Sequence, residues 1–221
     1  EDQALSTAAL REQIHQTLLA SYENLTRLSF RQLHFHLPDN RSFLRFHQPD
    51  KYGDDLTGIR HSVMRANEEK RLVSGFEEGR VKNGFRNVFP IIDHDGVHLG
   101  SVEVSISYEV FKQEIERLSQ GYVQFMIKKS LVNQKVWEEQ QRFYAPSHIH
   151  QEYLIETPAM EKGAFPEGFD KPLIQKLGSM LDQEALEAIS QAQEHTLYLV
   201  HEGQGYVAIF LPISNIIQEA G

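Results

Sequence analysis

Residues 83–108 read NGFRNVFPIIDHDGVHLGSVEVSISY, and this stretch decides the fold. Two β-rich runs flank DHDG, and an Asp-Gly pair between such runs marks a tight hairpin because the turn needs a positive φ that glycine adopts cheaply. In SVEVSIS strict alternation puts Val102, Val104 and Ile106 on one face and Ser101, Glu103, Ser105 and Ser107 on the other. The apolar face predicts packing on a helix. The polar face must meet solvent or line a pocket.

Working outward, RQLHFHL (31–37), the turn PDN and RSFLRFH (41–47) read as an earlier hairpin. Before it, Leu5, Ala8, Ala9, Ile14, Leu18, Leu19, Tyr22, Leu25 and Leu28 recur mostly at spacings of three and four, which predicts one long amphipathic helix, with a fray or break expected near Arg11. Residues 48–80, rich in Gly, Asp and Pro, hold one short helix around Arg60 to Lys70; ordered loops of this length commonly carry binding. Glu109 to Leu118 read as a helix leaving the sheet.

After Gly121 the grammar restarts. GYVQFMIKKSLV (121–132) reads as a strand, KVWEEQQRFY (135–144) and residues 170–193 as helical, and HTLYLVHEGQGYVAIFLPI (195–213) as a hairpin turned at His201 to Gly205. The expectation is α+β: a long N-terminal helix (1–30) and two domains, 31–120 and 121–221, the second lacking its last strand.

Composition narrows the function. The 221 residues are 40% hydrophobic and 24% charged, ordinary for a globular chain. A net charge of -9 and a pI near 5.7, with no basic cluster, argue against nucleic acid as a partner. Absence of cysteine excludes thiol chemistry, Fe-S clusters and Cys-ligated zinc. No run of 18 apolar residues occurs, so nothing in the chain reads as a membrane span, and its ends fit an ectodomain cut from between two spans. GxSxG, HExxH, GxxxxGK[ST] and GxGxxG are missing as functional motifs, which leaves no residue on which to place an enzyme.

HFHLPDNRSFLRFHQPDKYGDD (34–55), GFEEGRVKNGFRNVFPI (75–91) and LGSVEVSIS (99–107) resemble the double Cache family of bacterial histidine kinases, diguanylate cyclases and chemoreceptors. The resemblance implies two PAS-like antiparallel-sheet domains on a long helix, the first membrane-distal and usually the ligand-binding one, the second membrane-proximal. It also implies an extracytoplasmic place in an inner-membrane protein, flanking transmembrane helices outside this chain, and a homodimer in the full receptor. The spaced Tyr, Arg, Trp and Asp motif of the amino-acid-sensing Cache branch is not found, so no ligand is named.

Candidate ligand-binding residues are Arg45, His47, Tyr52, Arg60, Glu77, Phe85, Arg86 and Glu103. The arginines suit a carboxylate or phosphate, since the guanidinium fork donates two parallel hydrogen bonds. Phe43, Arg45 and His47 are expected to share a face, as are Gly84, Arg86 and Val88, so that Arg45, His47, Arg86 and Glu103 converge beneath a Tyr52–Arg80 loop. Tyr52, Phe76 and Phe85 are candidates for an apolar wall. Against this stands a structural network in which Arg86 pairs with Glu103 or Glu77 and nothing binds. Asn67 either caps the short helix or reaches the pocket. His34 and His36, with His47, raise zinc, but such spacing is common by chance and no metal or other cofactor is expected. The leading expectation is a sensor for a small anionic or zwitterionic molecule. The alternative is a ligand-free module docking a periplasmic partner protein.

Overall fold

The computed structural model describes residues 6–78, 83–136, 138–156 and 165–217. These divide into two compact units, one drawn from Glu1–Glu77 and Gly84–Ser107, the other from Glu78–Asn83 and Tyr108–Gly221.

In the first unit, helix α1 (Thr7–Arg27) starts at Ser6, whose side chain accepts the Ala9 N–H at 3.2 Å, and closes with Arg27 in its last turn. It runs unbroken through Arg11. Strands β1 (Phe30–His36) and β2 (Ser42–Arg45) follow, then α2 (His61–Glu69), β3 (Val73–Glu77), β4 (Gly84–Ile92) and β5 (His98–Ile106). The antiparallel sheet has the order β2-β1-β5-β4-β3. Ile14, Leu18 and Tyr22 of α1 pack on buried Leu33, Phe43, Leu44 and Phe46, together with Phe35, Leu37, Val102 and Val104. The valines of β5 therefore face α1, as the alternation requires.

The expected turns form. Asp93 accepts the N–H groups of Asp95 (3.0 Å) and Val97 (2.8 Å), and Gly96 takes φ +82°, so the DHDG carboxylate at Asp93 is engaged in shaping the hairpin. Asn40, at φ 67°, closes the PDN turn with its N–H on the Leu37 carbonyl at 3.0 Å. Opposite the end of β1, Gly100 has φ +134°, and a Cβ there would stand 2.0 Å from the His36 carbonyl oxygen. Only glycine fits this crossing.

One expectation about strand faces fails. His34 pairs with Arg45 and Phe35 with Leu44, but His36 pairs with Ser42, so Phe43 is the extra residue of a β-bulge. The bulge breaks the alternation of RSFLRFH. Ser42 and Arg45 share a face with the histidines, while Phe43 joins the core and its carbonyl accepts from Arg11 Nε at 2.7 Å.

The second unit contains α3 (Tyr108–Ser119), β6 (Ile127–Lys128), α4 (Lys129–Lys135), α5 (Glu138–Gln141), β7 (Tyr144–Pro146), β8 (Tyr153–Glu156), α6 (Lys171–Gly178), α7 (Gln183–Ser190), β9 (His195–His201) and β10 (Gln204–Phe210). Among the described residues its strands form two antiparallel sheets, β6-β8-β7 and β9-β10. Residues 121–132 are not one strand: extended pairing covers only Ile127–Lys128 before α4 begins. The buried set Ile127, Leu131, Val132 and Val136 recurs at helical spacing, which outweighs the apparent alternation. Of the expected 135–144 helix, Lys135 ends α4 and Glu138–Gln141 is helical, whereas Tyr144 already belongs to β7; Trp137 lies outside the described residues. The 170–193 run is two helices, each with its own aspartate cap: Asp170 accepts from Leu173 N and Asp182 from Ala185 N, both at 2.8 Å. The 195–213 hairpin forms in full register, turning at Glu202 and Gly203.

Candidate functional site

The polar face of the first unit's sheet is built by pairing. Glu103 of β5 stands opposite His34 of β1 and Val88 of β4; Ser101 stands opposite His36, and Ser105 opposite Arg86. Register thus gathers His34, His36, Ser42, Arg45, Glu77, Arg86, Ser101, Glu103 and Ser105 on one surface, and α2 covers its β3–β5 side. Most of these side chains are buried, Glu103 and Arg86 to 1% and 2% exposure. Burying charges at this depth demands compensating hydrogen bonds.

Arg86 supplies them. Its Nη1 donates to Glu103 Oε1 and, at 2.9 Å, to Gln32 Oε1, while Nε lies 3.2 Å from Glu77 Oε2. Glu77 in turn accepts from Ser62 N (3.1 Å) and Ser62 Oγ (2.8 Å) at the start of α2. Burial works against the Arg86 charge, but Glu103 and Glu77 outweigh it and hold the guanidinium above its ordinary pKa. For Glu103 burial pushes upward, and Arg86, Arg60 and His36 overcome it to keep the carboxylate ionised. This is the network in which Arg86 pairs with both acids.

Histidines line the other side. His34 Nε2 lies 2.8 Å from Ser42 Oγ and His36 Nδ1 lies 3.1 Å from Ser101 Oγ, with ring centroids 4.0 Å apart. Burial, with neighbouring cationic groups, holds His34 well below the ordinary imidazole range, and burial pushes His36 down to about 4 against the pull of Glu103. Both rings are neutral at neutral pH.

The candidates separate into two groups. Glu77, Arg86 and Glu103 are joined in one network. Arg60, just before α2, is pushed down to about 10 by burial and then by Arg86, partly offset by Glu103 and Glu77, so it adds positive potential to the same surface. Arg45 is half-buried and grips Asp54 with two hydrogen bonds of 2.7 and 2.8 Å, while also donating to the Lys51 carbonyl at 2.7 Å. That grip lowers the Asp54 pKa. Two others, Tyr52 and Phe85, stand apart. Tyr52 is 51% exposed beneath the Arg11 guanidinium, 3.6 Å from its ring centroid, and Phe85 pairs with Phe76 and Ile106 on the sheet face opposite Arg86. His47, in the turn after β2, has an exposed edge but lies near enough to the polar surface that burial and then Arg45 lower its pKa, against the pull of Glu103. Asn67 is buried and donates to the Leu37 carbonyl (3.0 Å) and Asn40 Oδ1 (2.9 Å), tying α2 to the PDN turn. Arg80 lies outside the described residues.

Sequence reasoning missed Asp54, Ser42, Ser62 and Gln32 as parts of this surface. Gln32 was legible, two residues before His34 on the same strand; Asp54 comes from the aperiodic loop before α2 and gives no such signal, and Ser62 opens the expected short helix without any sign that it would meet Glu77.

A family model described as the double sensory domain of two-component sensor kinases matches residues 2–149. The chain belongs to this double Cache family. Among solved structures, the extracellular domain of the histidine kinase vpHK1S-Z8 is similar at 13% identity and TM-score 0.42, covering 91% of this chain and 69% of that one. An extracellular ligand-binding receptor from Desulfohalobium retbaense is similar at 15% identity and TM-score 0.38, covering 93% of this chain and 40% of that one. No curated protein matches. As a double Cache chain it is a sensory module, and no helix among its described residues is long and apolar enough to cross a membrane.

Proposed function

We propose that this chain is the extracytoplasmic sensor of a bacterial transmembrane receptor and that its first unit takes a small anionic or zwitterionic molecule on the polar face beneath α2 and the 46–60 loop. The observation that carries the reading is the collection of Arg45, Arg60 and Arg86 on one surface with buried acids and imidazoles, far more ionisable groups than a sheet needs to fold. Arg86 is committed to Glu103 and Glu77 and acts as scaffold. Arg45 and Arg60 are the ligand contacts. The Asp54 carboxylate on Arg45 occupies the fork that a ligand carboxylate would take, so ligand and loop compete for one cation. Displacement of Asp54 frees the loop, and the difference in affinity between loop-held and loop-released states is what drives the signal. The receptor carries this domain between membrane-spanning helices and works as a homodimer.

Thermal-shift screening of organic acids and amino acids, followed by calorimetry, tests the reading. Arg45→Ala is expected to weaken the hit at least about tenfold, the worth of one charge-assisted contact, whereas Asp54→Asn strengthens it by removing the competitor. Unchanged affinity in both variants rejects the site.

A second reading has its own observation. Tyr198 (81% exposed), Val200, Val207 and Ile209 share one face of the β9–β10 hairpin, an apolar surface suited to a protein partner. Binding of a periplasmic protein to this hairpin, with no small molecule detected, favours that reading.

A further inference from the structure

Two buried polar atoms without partners face each other on the polar side of the sheet. His36 Nε2 and Glu103 Oε2 lie 3.9 Å apart, and neither has a hydrogen-bond partner among the described residues. Glu103 uses its other oxygen, Oε1, for Arg86. His36 uses its other nitrogen, Nδ1, for Ser101 Oγ. In the tautomer whose Nδ1–H donates to the serine, Nε2 presents a lone pair toward a carboxylate oxygen that also presents lone pairs. Two buried polar atoms left without partners at this distance are costly, and a cation between them would take a lone pair from each.

His34 completes the arrangement. Its Nε2 lies against Ser42 Oγ, leaving Nδ1 as the second ring nitrogen, and donor atoms of His34, His36 and Glu103 all fall within 4.8 Å of one another. We propose that His34, His36 and Glu103 form a binding site for a divalent transition-metal ion, zinc fitting best.

The chemistry of the donor set supports this. Two neutral imidazoles and one carboxylate are the ligands zinc takes at about 2.0–2.2 Å, so side-chain shifts of the order of 1 Å bring the three donors into its sphere. Each histidine has a serine hydroxyl on one ring nitrogen, which leaves the other for an ion and is the kind of outer contact that orients the ring of a metal-binding histidine. Adjacent strands set the spacing: His34 and Glu103 are direct cross-strand partners, and His36 is two residues on, on the same face. Three protein ligands leave a coordination position for an oxygen from water or from a bound anion. This inference does not depend on the ligand reading, since it needs no organic molecule.

The test uses the chelator-stripped chain with Zn²⁺ or Co²⁺ alone. Co²⁺ is expected to bind one ion per chain with a visible absorption band from nitrogen and oxygen ligands, and Zn²⁺ to displace it. His34→Asn and His36→Asn, which conserve size and polarity, are each expected to weaken Co²⁺ at least about tenfold while circular dichroism shows the fold retained. Glu103→Gln is expected to do the same. If it fails to fold because Arg86 loses its counter-charge, the two histidine variants decide. His94→Gln, at an exposed histidine in the DHDG turn, is expected to bind as the parent does and so controls for surface sites. Binding that survives undiminished in either asparagine variant, or no binding of either ion at millimolar concentration, overturns the proposal.

Discussion

The two faces of the first unit's sheet are made from alternate residues of the same strands, yet they are held together by different physics. One face is Leu33, Phe35, Leu44, Val102 and Val104 against α1, stabilised by removing apolar area from water. The other buries Arg86 and Glu103 on the side covered by α2 and His34 and His36 beside them, and each charge there is tolerable only because a neighbour satisfies it. Apolar packing degrades gradually when a side chain is trimmed. A charge network fails all at once, and it responds to anything that brings its own charge or lone pairs. The fold rests on the first face, and the sensing proposed above rests on the second.

The largest effect is expected from breaking the network. Arg86→Ala leaves Glu103 and Glu77 buried without their cation, and unfolding measurements should show a loss of about 3–5 kcal/mol, the range for removing one partner of a buried pair. Replacing Arg86 and Glu103 together by Met and Leu should recover much of that loss. Failure to recover would mean that the surface is not governed by charge pairing.

On the opposite face, Leu44→Ala should cost about 2–4 kcal/mol through lost burial and the cavity left behind, seen as a lower melting temperature. Affinity for any ligand found by screening should stay unchanged, because Leu44 does not face the polar surface. Lost affinity at retained fold would erase the division between the faces.

Acidification separates them more gently. The folded pKa of His36 lies near 4, below the unfolded value near 6.5, so between these values the unfolded chain binds a proton that the native chain does not. Stability is therefore full above about pH 6.5 and falls as pH drops toward 4, by on the order of 3 kcal/mol or less for this one group. His34, also lowered, acts in the same direction. In metal-free protein, His36→Gln should flatten the curve between pH 6.5 and 4.5 in urea titrations. An equally steep curve would assign the loss to other groups.

Much of this architecture is legible in the sequence, for a physical reason: period-two alternation in 101–107 settles both faces of β5 and hence which partners Glu103 meets. The Asp-Gly turn locates the hairpin because few residues accept positive φ. The bulge at Phe43 is not legible, since one inserted residue leaves composition and hydrophobicity unchanged while turning Phe43 away from Arg45 and His47. The same holds for Asp54 on Arg45, where an aperiodic loop chooses its contact by tertiary geometry alone. In the second unit the 121–132 run misleads because a two-residue strand passes directly into a helix, so neither period has room to declare itself. Tyr52 shows a further limit: its aromatic ring reads as a pocket wall and instead stacks under Arg11, a residue more than forty positions earlier whose approach depends on α1.

Hydrogen exchange followed by mass spectrometry, with and without a ligand from the thermal-shift screen, tests the central claim most directly. The account predicts that ligand changes exchange in the 46–60 loop and in α2 and leaves the Ile14–Tyr22 stretch of α1 unaltered at short times. Changes confined to residues 165–210, with the first unit unaffected, would contradict it.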